Sequence, residues 1–134
     1  MKRLHVSLSV SDLARSKAFY SQMLGSEPTL EKDHYAQWML DDPAVNFVIE
    51  DNVGTTGLSH LGVQANDADE LEAQFSRVRA TGQDVFEEGD TQCCYAKSTK
   101  NWVSDPDGVV WETFQTHSRT ADFGVPSRRP NEAA

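Results

Sequence analysis

Apolar and polar positions alternate with a period of two at two places in this chain, and a stretch of helical period follows each. In the first, Leu4, Val6, Leu8 and Val10 share one face of a predicted strand, with His5, Ser7 and Ser9 on the other. Leu58 to Ala65 repeats the pattern and puts His60, Gly62 and Gln64 on one face. Asp12 and Asp67 each follow a His by seven residues and open a helix. The first helix is predicted over Asp12–Leu24, its apolar stripe made by Leu13, Tyr20 and Leu24 with Phe19 and Met23 beside them. The second is predicted over Asp67–Thr81, with Leu71, Phe75 and Val78 at i, i+4 and i+7. Asp67 and Glu70 have capping-box spacing, and Gly25 and Gly82 suit the position just past a helix end.

The later parts of each half repeat more loosely. Tyr35-Ala36-Gln37-Trp38 matches Tyr95-Ala96-Lys97, with Trp102 following after an insertion. Asp42-Pro43 answers Asp105-Pro106, and a short alternating strand follows each, Val45–Glu50 and Val109–Gln115. Each half therefore reads strand, helix, three strands, the second gaining residues around Ser98–Asn101 and at Asp107-Gly108. The expected modules cover residues 1–54 and 55–116. Residues 117–134, rich in Arg, Ser and Pro, lack periodicity and read as a loosely docked polar tail.

Charge narrows the partners. Twelve Lys and Arg against 21 Asp and Glu give the 134 residues a formal charge of -9, which repels phosphate and argues against nucleic acid and anionic membranes. No apolar run approaches a membrane span, and the alternating start is unlike a signal peptide, so a cytoplasmic protein is expected. Cys93 and Cys94 are neighbours, and a disulfide between them would close a strained ring while removing little loop entropy.

Two strand–helix–strand–strand–strand modules predict an α+β fold. Its mixed sheet would curve around a cleft, with the helices outside. Leu4, Val6, Leu8, Leu61 and Val63 would then face the helices, and His5 and His60, at equivalent positions, would face the cleft. Glu112 on the last strand adds a carboxylate, with Asn46 as its approximate counterpart in the first half. Two imidazoles and a carboxylate are the facial set that holds Fe(II) with open positions, and they also suit Zn(II) or Mn(II). His34 and His117 have no such counterparts and read as surface or supporting residues.

His5, His60, Glu112, the paired modules and the Asp105-Pro106-Asp107-Gly108 turn resemble the vicinal oxygen chelate superfamily, which includes glyoxalase I, extradiol dioxygenases and bleomycin-resistance proteins. The stretch Thr91-Gln92-Cys93-Cys94-Tyr95-Ala96, with Lys100-Asn101-Trp102-Val103-Ser104 leading into that turn, is similar to the branch of organoarsenical C–As lyases and cadmium-induced proteins. Two departures stand out: Gln92 occupies an expected threonine position, and the tail carries no further cysteines. His5 matches the lyases and differs from those cadmium-induced members that lack a histidine there.

The resemblance implies an Fe(II)-dependent, dioxygen-using enzyme that cleaves trivalent organoarsenicals and releases arsenite. Zn, Ni, Mn or Co would also occupy the site on purification. It implies that His5, His60 and Glu112 are the catalytic metal ligands and that Cys93 and Cys94 chelate the arsenic, with Tyr95 beside them. Lys97 and Lys100 would favour the thiolates, opposed by Glu87, Glu88 and Asp90. Tyr35, Trp38, Tyr95, Trp102 and Phe114 are candidates to wall the cavity. Two other readings stand beside the lyase: a glyoxalase-like or extradiol-dioxygenase enzyme, and a non-catalytic cadmium- or arsenite-binding resistance protein. Asn46 is a poor fourth ligand for a glyoxalase. The repeat allows one chain to close on itself or two copies to exchange modules in a homodimer.

Overall fold

The computed structural model describes residues 1–52, 54–88 and 98–116, and of residues 98, 99 and 116 the backbone alone. The element order is β1 (Arg3–Ser9), α1 (Leu13–Leu24), β2 (Leu30–Lys32), β3 (Tyr35–Asp41), β4 (Ala44–Glu50), β5 (Gly57–Gln64), α2 (Ala68–Arg79), β6 (Val85–Glu88), β7 (Ser98–Ser104) and β8 (Val110–Thr116). This is the expected α+β fold, two strand–helix–strand–strand–strand runs contributing eight strands and two helices with mixed pairing. The described residues form two compact units, Arg3–Leu61, and Met1–Lys2 with those from Gly62 to Thr116. No helix among the described residues is long and apolar enough to cross a membrane.

In the first unit the strands lie in the order β2-β3-β4-β1-β5. Strand β1 runs parallel to β4, with Leu4 opposite Val45, His5 opposite Asn46 and Ser9 opposite Glu50. Parallel neighbours need a crossover, which α1 supplies. The Asp12 carboxylate accepts from the Arg15 N–H at 3.1 Å and starts that helix. Gly25, at φ 72°, ends it with its N–H on the Ser21 carbonyl. Ala36, Trp38 and Ile49 form the core, packed by Leu8, Val10, Leu13, Tyr20, Leu24, Leu40 and Phe47. Trp38 is fully buried and its indole donates to the Ser26 carbonyl at 2.9 Å. Lys17 reaches Glu31 at 2.8 Å, tying α1 to β2, and that carboxylate raises the Lys17 pKa.

The second unit carries β8-β7-β6, antiparallel throughout, with α2 packed on β8. Its core includes Ala65, Leu71 and Phe75. Asp67 accepts from the Glu70 N–H, and the Glu70 carboxylate in turn accepts from the Asn66 N–H at 2.7 Å. At the far end Arg79 holds both oxygens of Glu87 and lowers that carboxyl's pKa. The Asp105–Gly108 turn is built by its first residue: Asp105 Oδ1 accepts from the N–H groups of Asp107 and Val109, and Gly108 takes φ 95°.

Several details differ from the sequence pattern. Helix α2 ends at Arg79, earlier than expected, because the Thr81 hydroxyl and N–H both turn back onto the Val78 carbonyl; Gly82 then lies beyond the cap. On α1, Phe19 and Met23 are more than half exposed instead of joining the core stripe. Leu4, expected beneath a helix, is 47% exposed, whereas its polar neighbours His5, Ser7 and Ser9 are buried. Hairpin register also moves the repeat. Ser98–Ser104 is one unbroken strand equivalent to Tyr35–Asp41, so the extra residues expected around Ser98–Asn101 precede Ser98, and Lys100, not Lys97, corresponds to Gln37.

Trp38→Ala is expected to lower the unfolding free energy by about 3–5 kcal/mol in urea denaturation, because it empties a fully buried aromatic site. Asp67→Ala is expected to cost about 1 kcal/mol by the same measurement, through loss of the α2 cap. Glu70 has a pKa held below its ordinary value by the hydrogen bond from Asn66. Its contribution to stability is therefore full above the unfolded-state value of about 4.3 and is lost as pH falls through the lower folded value. Glu70→Gln should flatten the stability–pH profile over that acid range.

Candidate metal centre

Strand alternation decides where the candidate ligands go. His5 is the third residue of β1 and belongs to the face of Ser7 and Ser9, all three buried. The parallel ladder sets His5 opposite Asn46, and His5 Nδ1 lies 3.0 Å from the Asn46 carbonyl oxygen. A carbonyl only accepts, so Nδ1 carries the hydrogen and the neutral ring presents a lone pair at Nε2. His60, buried on β5, lies with Nδ1 3.2 Å from the Ser59 hydroxyl. The two imidazoles converge: His5 Nε2 and His60 Nε2 are 3.1 Å apart, with ring centroids 5.0 Å apart and planes at 53°.

This spacing tests whether a metal fits. Two nitrogens each about 2.1 Å from one ion and at right angles are about 3.0 Å apart, so the observed pair matches one edge of a coordination shell. The partner on His5 Nδ1 is of the kind that orients metal-bound imidazoles. Beside His5, Gln37 Nε2 donates to Asn46 Oδ1 at 2.9 Å, both side chains buried. This amide pair stiffens β4 where it holds the His5 ring.

In the second unit, Glu112 is the third residue of β8, as Asn46 is of β4, which confirms the equivalence read from the repeat. Its carboxylate is buried and paired through Oε2 with Lys100 Nζ at 2.8 Å. Trp102 and Phe114 lie on the same face, with the Lys100 ammonium 6.0 and 5.7 Å from their ring centres. A carboxylate is a hard oxygen donor of the kind that divalent first-row metals accept.

Trp38 belongs to the core against α1, with Tyr20 and Phe47 around it. His34 is exposed and 2.8 Å from Asp51, a surface pair. Lys100 pairs with Glu112; Glu87 is engaged by Arg79, and Glu88 accepts from the Trp102 indole at 2.8 Å. Cys93, Cys94 and Tyr95 lie outside the described residues, as do His117 and the polar tail. Sequence reading missed the Gln37–Asn46 and Lys100–Glu112 pairs. Their signal was the alternation along Tyr35–Asp41 and Ser98–Ser104, unusable until hairpin register aligned Gln37 with Lys100.

Residues 2–113 match the Glyoxalase/Bleomycin resistance protein/Dioxygenase superfamily. The chain is 39% identical to the trivalent organoarsenical cleaving enzyme of Bacillus sp. strain MD1, across 87% of this chain and 74% of that protein. It is 34% identical to the cadmium-induced protein CadI of Mycobacterium tuberculosis, across 92% of this chain and 82% of that protein. In fold it is similar to a Mn(II)-bound glyoxalase from Novosphingobium aromaticivorans, with a TM-score of 0.63 and 20% identity over 94% of this chain and 44% of that longer one. The family match and these relatives show that the chain belongs to the glyoxalase/bleomycin resistance protein/dioxygenase superfamily.

Proposed function

We propose that this protein is an Fe(II)-dependent C–As lyase that takes trivalent organoarsenicals and releases arsenite. The observation that carries the reading is the convergence of two buried imidazoles, Nε2 to Nε2 at 3.1 Å, in a chain 39% identical to a trivalent organoarsenical cleaving enzyme. His5 and His60 are the nitrogen ligands and Glu112 the carboxylate ligand of the metal. When bound, Fe(II) supplies the site at which dioxygen is reduced as the C–As bond is broken.

The protein's own residues bind and orient. The Asn46 carbonyl keeps the hydrogen on His5 Nδ1 and its lone pair on Nε2. Cys93 and Cys94 exchange their thiol hydrogens for two bonds to arsenic, displacing two hydroxides of the trivalent species as water. Soft thiolates suit soft arsenic, and two adjacent ones leave the carbon substituent in place. The second bond forms at high effective concentration because the first already holds the atom. Holding arsenic in this way turns a chance encounter into a positioned one. Tyr95, Trp102 and Phe114 supply apolar surface that keeps water from the substrate carbon. The likeness to a cadmium-induced protein, at 34% identity, supports a second reading, metalloid or cadmium binding without turnover.

The two readings separate in one assay. Protein loaded anaerobically with Fe(II) is given methylarsonous acid and then air, and inorganic arsenite is measured. The expected result is arsenite release that falls at least about a hundredfold in both Glu112→Ala and Cys94→Ser. Release unaffected by Cys94→Ser would remove the chelation step, and tight arsenic binding with no arsenite would favour the binding protein. Atoms balance if one dioxygen converts methylarsonous acid to arsenous acid and formaldehyde, so equal amounts of the two products are expected.

A further inference from the structure

The ion pair between Lys100 and Glu112 has a neutral twin in the same molecule. Lys100 faces Phe114 and Glu112 faces Trp102 in the β7–β8 ladder, so the pair is diagonal across the hairpin. In the β3–β4 ladder Gln37 faces Val48 and Asn46 faces Met39, the same diagonal. There the Gln37 amide donates to Asn46 Oδ1 at 2.9 Å, as Lys100 Nζ donates to Glu112 Oε2 at 2.8 Å. One backbone frame thus holds an amide pair in one half and an ion pair in the other. An amide suffices to make the hydrogen bond, so the ammonium adds a charge, largely buried, with 18% of the Lys100 side chain exposed.

We propose that Lys100 is a positioning residue of the metal centre: it keeps one oxygen of Glu112, so that a divalent ion takes the carboxylate through the other oxygen alone and does so against the ammonium's charge. This rests on the reading of His5, His60 and Glu112 as the metal ligands. A carboxylate that binds through one oxygen fills one coordination position instead of two, which leaves more positions for substrate and dioxygen. The ammonium also offsets the attraction between carboxylate and metal, because like charges sharing one buried carboxylate repel strongly where water screens little. The centre therefore holds its metal less tightly than its donor set alone would dictate, in exchange for an open face.

The test uses the full chain, stripped of metal and titrated with Co(II) in competition with a chelator while the visible Co(II) absorption is recorded. Lys100→Gln keeps a donor in the frame that Gln37 already occupies and removes the charge; it is expected to bind Co(II) about tenfold more tightly than wild type. Lys100→Met should shift in the same direction, and Lys100→Arg, which keeps the charge, should stay within about threefold of wild type. Glu112→Ala should bind about tenfold or more weakly. A damaged fold weakens metal binding, so tighter binding in a variant with an unchanged thermal transition cannot come from damage. If Glu112→Ala weakens binding while neither neutral Lys100 variant tightens it, the role of Lys100 falls and the ligand assignment stands. If Glu112→Ala leaves Co(II) affinity unchanged, the ligand assignment falls and takes the Lys100 proposal with it.

Discussion

The parallel ladder between β1 and β4 is the constraint from which the rest of the first unit follows. A parallel pair cannot be closed by a tight turn, so the chain must leave β1, cross through α1 and come back through β2 and β3 before β4 can pair. That path builds the core of Ala36, Trp38 and Ile49 against Leu13, Tyr20 and Leu24 of the helix. It also brings the Asn46 carbonyl to the His5 ring from 41 residues away. The hydrogen bond so formed chooses the tautomer that points a lone pair at His60, and a one-residue slip in register would turn His5 to the opposite face.

Burial of the polar face follows from the same ladder. His5, Ser7 and Ser9 are more deeply covered than Leu4 on the other side of the strand, the reverse of a simple half-buried strand. Such a face is tolerable where its polar atoms find partners, as the His5 ring does in the Asn46 carbonyl and the Gln37 amide in the Asn46 side chain. Partnered polar groups inside a fold are costly to assemble and hard to displace, which is what a ligand shell requires. In the second unit the same diagonal position carries Lys100 and Glu112, so duplication preserved the frame while the chemistry of the two halves separated.

Legibility in the sequence followed the strength of each local signal. Both helices begin at the predicted Asp because a carboxylate accepting from an N–H two or three residues ahead is a local event. Gly25 ends α1 for an equally local reason, a left-handed φ that glycine adopts without strain. The end of α2 was displaced by Thr81, whose hydroxyl competes for the Val78 carbonyl. Strands β2 and β6, three and four residues long, have too few alternations to be located beforehand. Phe19 and Met23 show that helical spacing names a stripe without saying how wide a face the sheet will cover.

Sequence by itself determined the architecture and singled out the candidate donors. Two His–strand–Asp–helix–Gly units require a duplicated α+β fold, and His5, His60 and Glu112 stand out because their residue types and equivalent positions are properties of the chain alone. Distance is not such a property. That the two imidazoles meet at 3.1 Å, that the Asn46 carbonyl sets the His5 tautomer, and that Lys100 pairs with Glu112 were decided by tertiary structure. The physical reason is register: alternation assigns a side chain to a face, but only the hydrogen-bonded ladder between distant strands decides which residue it will face.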